Sequence, residues 1–355
     1  LISGSIITSF GIRYDLLRGT DLLVHFQVKP SAIARQPNER RRKTVIRSEA
    51  ALNLIRFSSG IVIGDDLAMQ QKWHEAAING DCETIRACLA QSADINRLDK
   101  YGQTALMLAS LHGNDAVIEM LVENGAELDI TAKFGLSALM LAVINNHENT
   151  ARLLVRANAN IWLKGRGAPG FSNKTAFDLA KDNGLSDSTE LLIKSAADRA
   201  RNLIEAAFAD RARPAHLFDS KQLLDFEYDE VMLFDQMRWQ DVEIAHVDRA
   251  PDAVFWFSPE AFCYYLPGFL VAGLRENNVD SNAFDSIIGC LDRSPEPDYW
   301  DDFFRPRFTQ FKVSELEAVS AWVRWMEMVQ PDAFDPITYQ RAQDTLELLK
   351  WQATG

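Results

Sequence analysis

Between Asp99 and Lys164 the small, apolar and turn residues fall twice in the same order. Gly102, Ala105, Leu106, Met107, Leu108, Ala109 and Ala126 recur 33 residues later as Gly135, Ala138, Leu139, Met140, Leu141, Ala142 and Ala159. Within each copy, Leu106 and Ala109 keep helical spacing and face neighbouring helices. Thr104 and Ser137 stand where an N-cap hydroxyl accepts a backbone N–H. Gly113 ends the first helix of one copy, and Asn146 holds that place in the next, as the usual second choice for a left-handed residue. Ile118, Leu121 and Val122 stripe the second helix, and Gly125 ends it.

A fixed period of about 33 residues is the signature of a β-turn followed by two antiparallel helices. The segment DKYGQTALMLASLHGNDAVIEMLVENGAELD resembles the ankyrin consensus. Where that family usually has Pro and His, this chain has Ala105 and Met107, or Ala138 and Met140. The resemblance therefore implies the same fold with looser hairpins and one polar inter-hairpin link missing. Residues 70–91 fit an earlier unit, with Ala76 aligned to Ala109 and polar Gln70, Gln71, Lys72 and Glu75 suited to the outer face of a cap. A fourth unit contains Thr175 to Ala180 and carries about five extra residues in Gly165–Phe171. Glycines beside Arg166 suggest a phosphate loop, but the Lys-Ser/Thr ending and the preceding strand are missing. A longer finger is the preferred reading.

Later segments are helical by pattern. Leu203, Ala206 and Ala207 lie on one face of a bridging helix. Ser258-Pro259-Glu260 opens a helix with a stripe from Phe262 to Leu270, which Pro267 is expected to kink or split. Ser314 to Glu317 reads as a capping box, and Pro336 starts a final helix carrying Tyr339, Ala342, Leu346 and Leu349. The strings RNLIEAAFADRARP, FSPEAFCYYLPGFLVAGL and RFTQFKVSELEAVSAWVRWM resemble a bacterial domain family of unknown function. Cys263 stands where Arg is common there, and Val313-Ser314 replaces Leu-Thr. That resemblance delimits a domain and brings no chemistry with it.

The expected fold class is mainly α: an ankyrin-repeat solenoid of about four units over residues 69–197, then a helical domain over 198–355. Residues 1–68 hold ten Lys and Arg against six Asp and Glu, whereas the whole chain carries −13. They read as a basic disordered arm, as an Arg-rich targeting segment, or, preferably, as upstream sequence ahead of a true start at Met69.

The acidic balance argues against a nucleic-acid partner. No apolar run approaches the roughly 20 residues of a membrane helix. Cys82, Cys88, Cys263 and Cys290 form no C-x-x-C pair and read as buried thiols in a reducing cytoplasm. His25, His74, His112, His147, His216 and His246 show no metal spacing. Hydrolase, Walker and dinucleotide motifs are missing too, so neither a cofactor nor an enzymatic activity is expected. The acidic runs Asp225–Glu230 and Tyr299–Phe304 read as solvated surface and core plugs, or as contact patches for a basic partner.

The primary expectation is a module binding an unidentified protein partner. The resemblance places contacts at hairpin tips and on the concave helix face: Lys100, Tyr101, Gln103, Leu111 and His112, then Lys133, Phe134, Leu136, Ile144 and Asn145, with Trp162 and Phe171 flanking the third finger. A bacterial immunity or antitoxin-like role suits that composition. The alternative is an enzyme in the C-terminal domain, with the repeats as a targeting arm. It requires Asp229, Glu230 and Tyr265 to share a pocket with raised carboxyl pKa values.

Overall fold

The computed structural model describes the backbone of four short strands within the first 46 residues, and residues 63–355 apart from 168, 220–222, 278 and 355. Its contacts divide the chain into two compact units, Leu1–Lys72 and Trp73–Gly355.

In the first unit, β1 (Ser5–Ile7), β2 (Ile12–Leu16), β3 (Leu22–Phe26) and β4 (Thr44–Ile46) form an antiparallel sheet in chain order. Tyr14 sits opposite Ile6 and Val24, and Leu23 opposite Val45. In β2 the apolar Ile12, Tyr14 and Leu16 alternate with Arg13 and Asp15, the period-two pattern of a strand. This sheet was not expected from the sequence. The residues around these strands lie outside those described, and with them the choice among arm, targeting segment and start at Met69. Helix α1 (Ile63–Asn79) begins ahead of Met69.

Helix pairs follow. They are α1 with α2 (Cys82–Ala90), α3 (Ala105–His112) with α4 (Asp115–Glu123), α5 (Ala138–Ile144) with α6 (Glu148–Arg156), and α7 (Ala176–Asp182) with α8 (Ser186–Ala207). First helices stack on one another, α3 on α5 and α5 on α7, and second helices likewise. Thr104, Ser137 and Thr175 each accept the N–H three residues on, from Met107, Met140 and Asp178. Leu106, Leu108, Leu139 and Leu141 are buried in the stack.

The polar link expected to be missing is supplied from elsewhere. Asn114 and His147, 33 residues apart, each reach back to the first helix of the preceding unit. Asn114 Nδ2 donates to the Ala77 and Ile78 carbonyls at 2.8 Å, and the His147 ring meets the Leu111 carbonyl at 3.1 Å. Gly113 lies at φ 69° with the His147 ring against it. A Cβ there would sit 2.6 Å from Nδ1, so glycine serves both the turn and the close approach.

The remainder comprises α9 (Asp225–Met232), α10 (Ile244–Arg249), α11 (Ala253–Trp256), α12 (Pro259–Glu276), α13 (Asn282–Leu291), α14 (Phe304–Phe308), α15 (Val313–Val329) and α16 (Pro336–Thr354). Helix α12 is central, and every residue from Ala261 to Leu274 is buried. Ser258 caps it and Pro259 is its first residue, as expected. Pro267, however, does not split it. Packing against α8, α10, α13, α14 and the Trp239–Asp241 turn holds it continuous. At Gly268 a Cβ would meet the Trp239 carbonyl at 2.6 Å.

Three further expectations are refined. Helix α8 runs unbroken through residues 197 and 198, and it buries Leu192, Ala196, Ala200 and Ile204. Its packing on α12 and α15 selects that face, which leaves Leu203 exposed. Helix α15 starts at Val313 rather than at a Ser314 cap. The Glu315 carboxylate accepts the Lys312 N–H at 2.7 Å and so fixes the start. Of the Tyr299–Phe304 run, Trp300 and Phe304 are buried while Tyr299 is exposed.

Candidate protein-binding surface

Each finger is the loop between one helix pair and the next. In the first, Asp99 Oδ1 accepts the N–H groups of Tyr101 (2.7 Å) and Gln103 (2.8 Å). This short acidic side chain mimics a turn and sets the tip. Tyr101 is left 64% exposed, with Lys100 Nζ 4.9 Å from its ring centroid.

The second finger has Ala132 at the equivalent position and lacks that acceptor. Its tip tightens into a 3₁₀ turn over Lys133–Gly135, with Phe134 at φ 66°. A bulky residue in the left-handed region is uncommon and strained. Neighbouring contacts hold it there. The Phe134 carbonyl accepts the Arg166 N–H at 2.6 Å, and its ring lies 6.4 Å from that of Phe171. Phe134 remains 39% exposed, and Lys133 Nζ sits 5.0 Å from its ring, repeating the arrangement one finger earlier. The same pairing of a lysine over an aromatic thus recurs along one edge. Each is a cation–π contact of modest strength where water has access.

Hydrogen bonds tie the fingers together. Asn96 and Glu127 bond reciprocally at 3.1 and 2.9 Å, and Asp129 accepts the Asn160 N–H at 2.8 Å. In the third finger, the insert folds on Gly165, whose N–H meets the Lys174 carbonyl and whose carbonyl takes the Asn173 N–H. This is a finger extension with Phe171 half-buried beside Phe134.

The other expected contact residues divide. Lys100, His112, Lys133 and Asn145 are exposed; Gln103, Leu111, Ile144 and Trp162 are half-buried. Asn145 also donates to the Leu141 carbonyl and closes α5. Leu136 is buried, 9% exposed, and offers little side-chain surface. Trp162 has a partner within the chain: the Arg324 guanidinium of α15 lies 5.6 Å from its ring. One helical turn along, Glu327 keeps solvent on one side with protein crowding the other. Burial pushes its carboxyl above the ordinary value, Lys164 works against that, and Asp178 adds to it. The C-terminal domain therefore meets the solenoid at its fourth unit. No sequence signal flagged Arg324 or Glu327, because both belong to a helix with an ordinary apolar stripe.

The groups named for an enzyme site differ in exposure and in pKa. The Tyr265 hydroxyl donates to the Phe234 and Met237 carbonyls at 2.8 and 3.0 Å, and burial pushes its pKa up to about 12. Asp229 is exposed. Glu230 does have a raised carboxyl pKa, first through burial and then through neighbouring Asp252. Burial pushes the Cys263 thiol up to about 12 and the Cys290 thiol up to about 11, which removes thiolate character at neutral pH. Among the described residues, no group of His, Cys, Asp and Glu could hold a metal ion, and no helix is long and apolar enough to cross a membrane.

Residues 73–165 match the ankyrin repeats, in three copies, and residues 197–344 match a family of unknown function, DUF6714. The chain carries ankyrin repeats followed by a domain of that second family, and such repeats imply a protein partner in general. No curated protein matches the chain.

Proposed function

We propose, for an ankyrin array joined to a domain of unknown function, that the chain captures a protein partner along its finger edge and the adjoining concave helix face. The repeated lysine-over-aromatic pair at Lys100-Tyr101 and Lys133-Phe134 carries this reading. The turn glycines account for the repeat fold; nothing in the fold requires an exposed ring beside them. Tyrosine is a preferred anchor in interfaces, and two rings on hydrogen-bonded fingers are held in fixed relation before any partner arrives. Trp162 and the fourth unit are engaged by α15, so the open stretch runs from the first finger to Phe171. Neutralising a toxic protein by capture, as an immunity or antitoxin-like protein does, needs no chemistry of its own and suits this acidic chain.

The test is the double variant Tyr101→Ala, Phe134→Ala. It should retain its helical circular dichroism and melting temperature, and its capture of the cellular partner should weaken at least about tenfold, the loss of one hot spot. Undiminished capture by the folded variant would remove these rings from the interface. A melting temperature lowered by several degrees would assign Phe134 to sideways packing on Phe171. The competing enzyme reading has Glu230 in its favour. It predicts a catalytic loss in Glu230→Gln with capture unchanged.

A further inference from the structure

The finger edge and one helix of the C-terminal domain are chemical opposites. The three finger loops, residues 91–104, 124–137 and 157–175, hold six Lys and Arg against four Asp and Glu, in a chain of net charge −13. The acids are engaged within the fingers: Asp99 accepts from Tyr101 and Gln103, Asp129 from Asn160, and both Asp94 and Glu127 from Asn96. Lys100, Lys133 and Arg166 are exposed beside the Tyr101 and Phe134 rings. The edge is thus a local reversal of sign with apolar area at its centre.

Helix α9 and its cap carry the complement. Leu224 to Met232 contains Asp225, Glu227, Asp229 and Glu230 and no basic residue. Leu224, Phe226 and Tyr228 are 59, 57 and 44% exposed. On the helix Asp229 shares a face with Asp225 and Phe226, four and three residues before it, while the Tyr228 ring lies 5.7 Å from that of Phe218. Glu227 accepts the Leu224 N–H at 2.8 Å, so the helix is capped and formed without a partner. Apolar patches rimmed by charge mark interaction sites.

We propose that the acidic face of α9 in one copy, Asp225 and Asp229 beside Phe226, docks on the basic aromatic finger edge of a second copy. Opposite fields bring the two patches together and set their register, and the rings supply the contact area. The patches differ, so the contact is heterologous and joins copies head to tail into a ring or an open chain. This inference rests on the finger edge proposed above for capture. Self-association would compete with capture, and an occupied edge would be released by a better partner.

The experiment is sedimentation of the full chain. The weight-average mass should rise with concentration at low ionic strength. It should return to that of a monomer in strong salt, where the Debye length falls to about 3 Å. Lys100→Glu with Lys133→Glu, and separately Asp225→Lys with Asp229→Lys, should each give a folded monomer by circular dichroism. An equimolar mixture of the two should associate again, because each supplies the sign the other lost. Neutral versions, Lys→Gln and Asp→Asn at the same positions, should each weaken association at least about tenfold and keep the inference testable should a reversal unfold the chain. A monomer at roughly 100 µM in low salt, association that survives strong salt, or a mixture that stays monomeric would overturn it. A monomeric chain that still loses capture in the Tyr101, Phe134 double variant would sink self-association and leave the capture reading standing.

Discussion

Arg211 and Glu315 form a part-buried ion pair beside the junction between solenoid and C-terminal domain. Arg211 follows α8, and Glu315 lies in the first turn of α15. The guanidinium donates in parallel to both carboxylate oxygens, Nε to Oε1 at 2.8 Å and Nη2 to Oε2 at 2.7 Å. Burial, the largest single influence, works against the guanidinium charge, but the Glu315 hydrogen bonds and the neighbouring charge together outweigh it, so the Arg211 pKa ends above its ordinary value. The two sides are unequally covered: the Arg211 side chain is 17% exposed and that of Glu315 is 0% exposed. Breaking a buried pair costs about 3–5 kcal/mol, because one charge is left without its partner. The inequality predicts which variant sits at which end. After Glu315→Ala, Arg211 still has the Gln310 carbonyl at 3.0 Å, the Phe311 ring at 5.2 Å and some water. After Arg211→Met, a fully enclosed carboxylate is left with the Lys312 N–H.

Arg211→Met should therefore be the more damaging, near the upper end of that range, and Glu315→Ala near the lower end. The double variant should fall short of the sum by about 2–3 kcal/mol, the coupling of groups in direct contact. Urea unfolding followed by circular dichroism measures all three as midpoint shifts at constant slope. Additive losses, or an Arg211→Met variant milder than Glu315→Ala, would refute the argument that burial of the carboxylate sets the magnitude.

Leu108→Ala and Leu141→Ala, at 4 and 7% exposure, should each lower stability by about 2–5 kcal/mol; unchanged melting of both would mean the stack is packed differently. Glu230 has a folded pKa raised by burial, so the folded state holds its proton more tightly, and the stability it contributes falls as pH rises from the ordinary carboxyl range through the raised value. Glu230→Gln should accordingly melt higher than the parent near pH 7, with the gap closing near about pH 4; a lower melting temperature near neutrality would contradict this. Cys82, half-exposed, should react with a thiol reagent in the folded protein well before Cys263 and Cys290, which should become reactive only on unfolding.

Much of the solenoid was legible because its signals repeat. A hydroxyl at Thr104 and Ser137, a positive-φ residue at Gly113 and Asn146, and leucines at fixed offsets recur at one spacing, and each has a local cause. The Asn114 and His147 links share that spacing but differ in residue type, so chemistry hid what geometry repeats. The strained Phe134 also had a visible cause, the loss of the Asp99 acceptor at Ala132, which is apparent only once the turn bonds are known. Contacts across long separations left no trace. Arg211 and Glu315 are 104 residues apart, and the buried face of α8 is selected by helices that follow it. Of the candidate binding surface, the exposure of Tyr101 and Phe134 could be read from the turn. The burial of Leu136 and the engagement of Trp162 by Arg324 could not.

Helix α8 serves at once as the last helix of the fourth pair and as a wall of the C-terminal core, against α12 and α15. An ordinary repeat array lengthens or shortens by duplicating or losing whole units, since each touches only its neighbours. Here the terminal unit has a second set of neighbours and cannot be copied or deleted without rebuilding the domain that follows. Tandem duplication is therefore confined to units upstream of α7. Any lineage that changes the reach of this array must do so by adding or removing fingers on the N-terminal side, with the junction at the fourth unit kept as a fixed end.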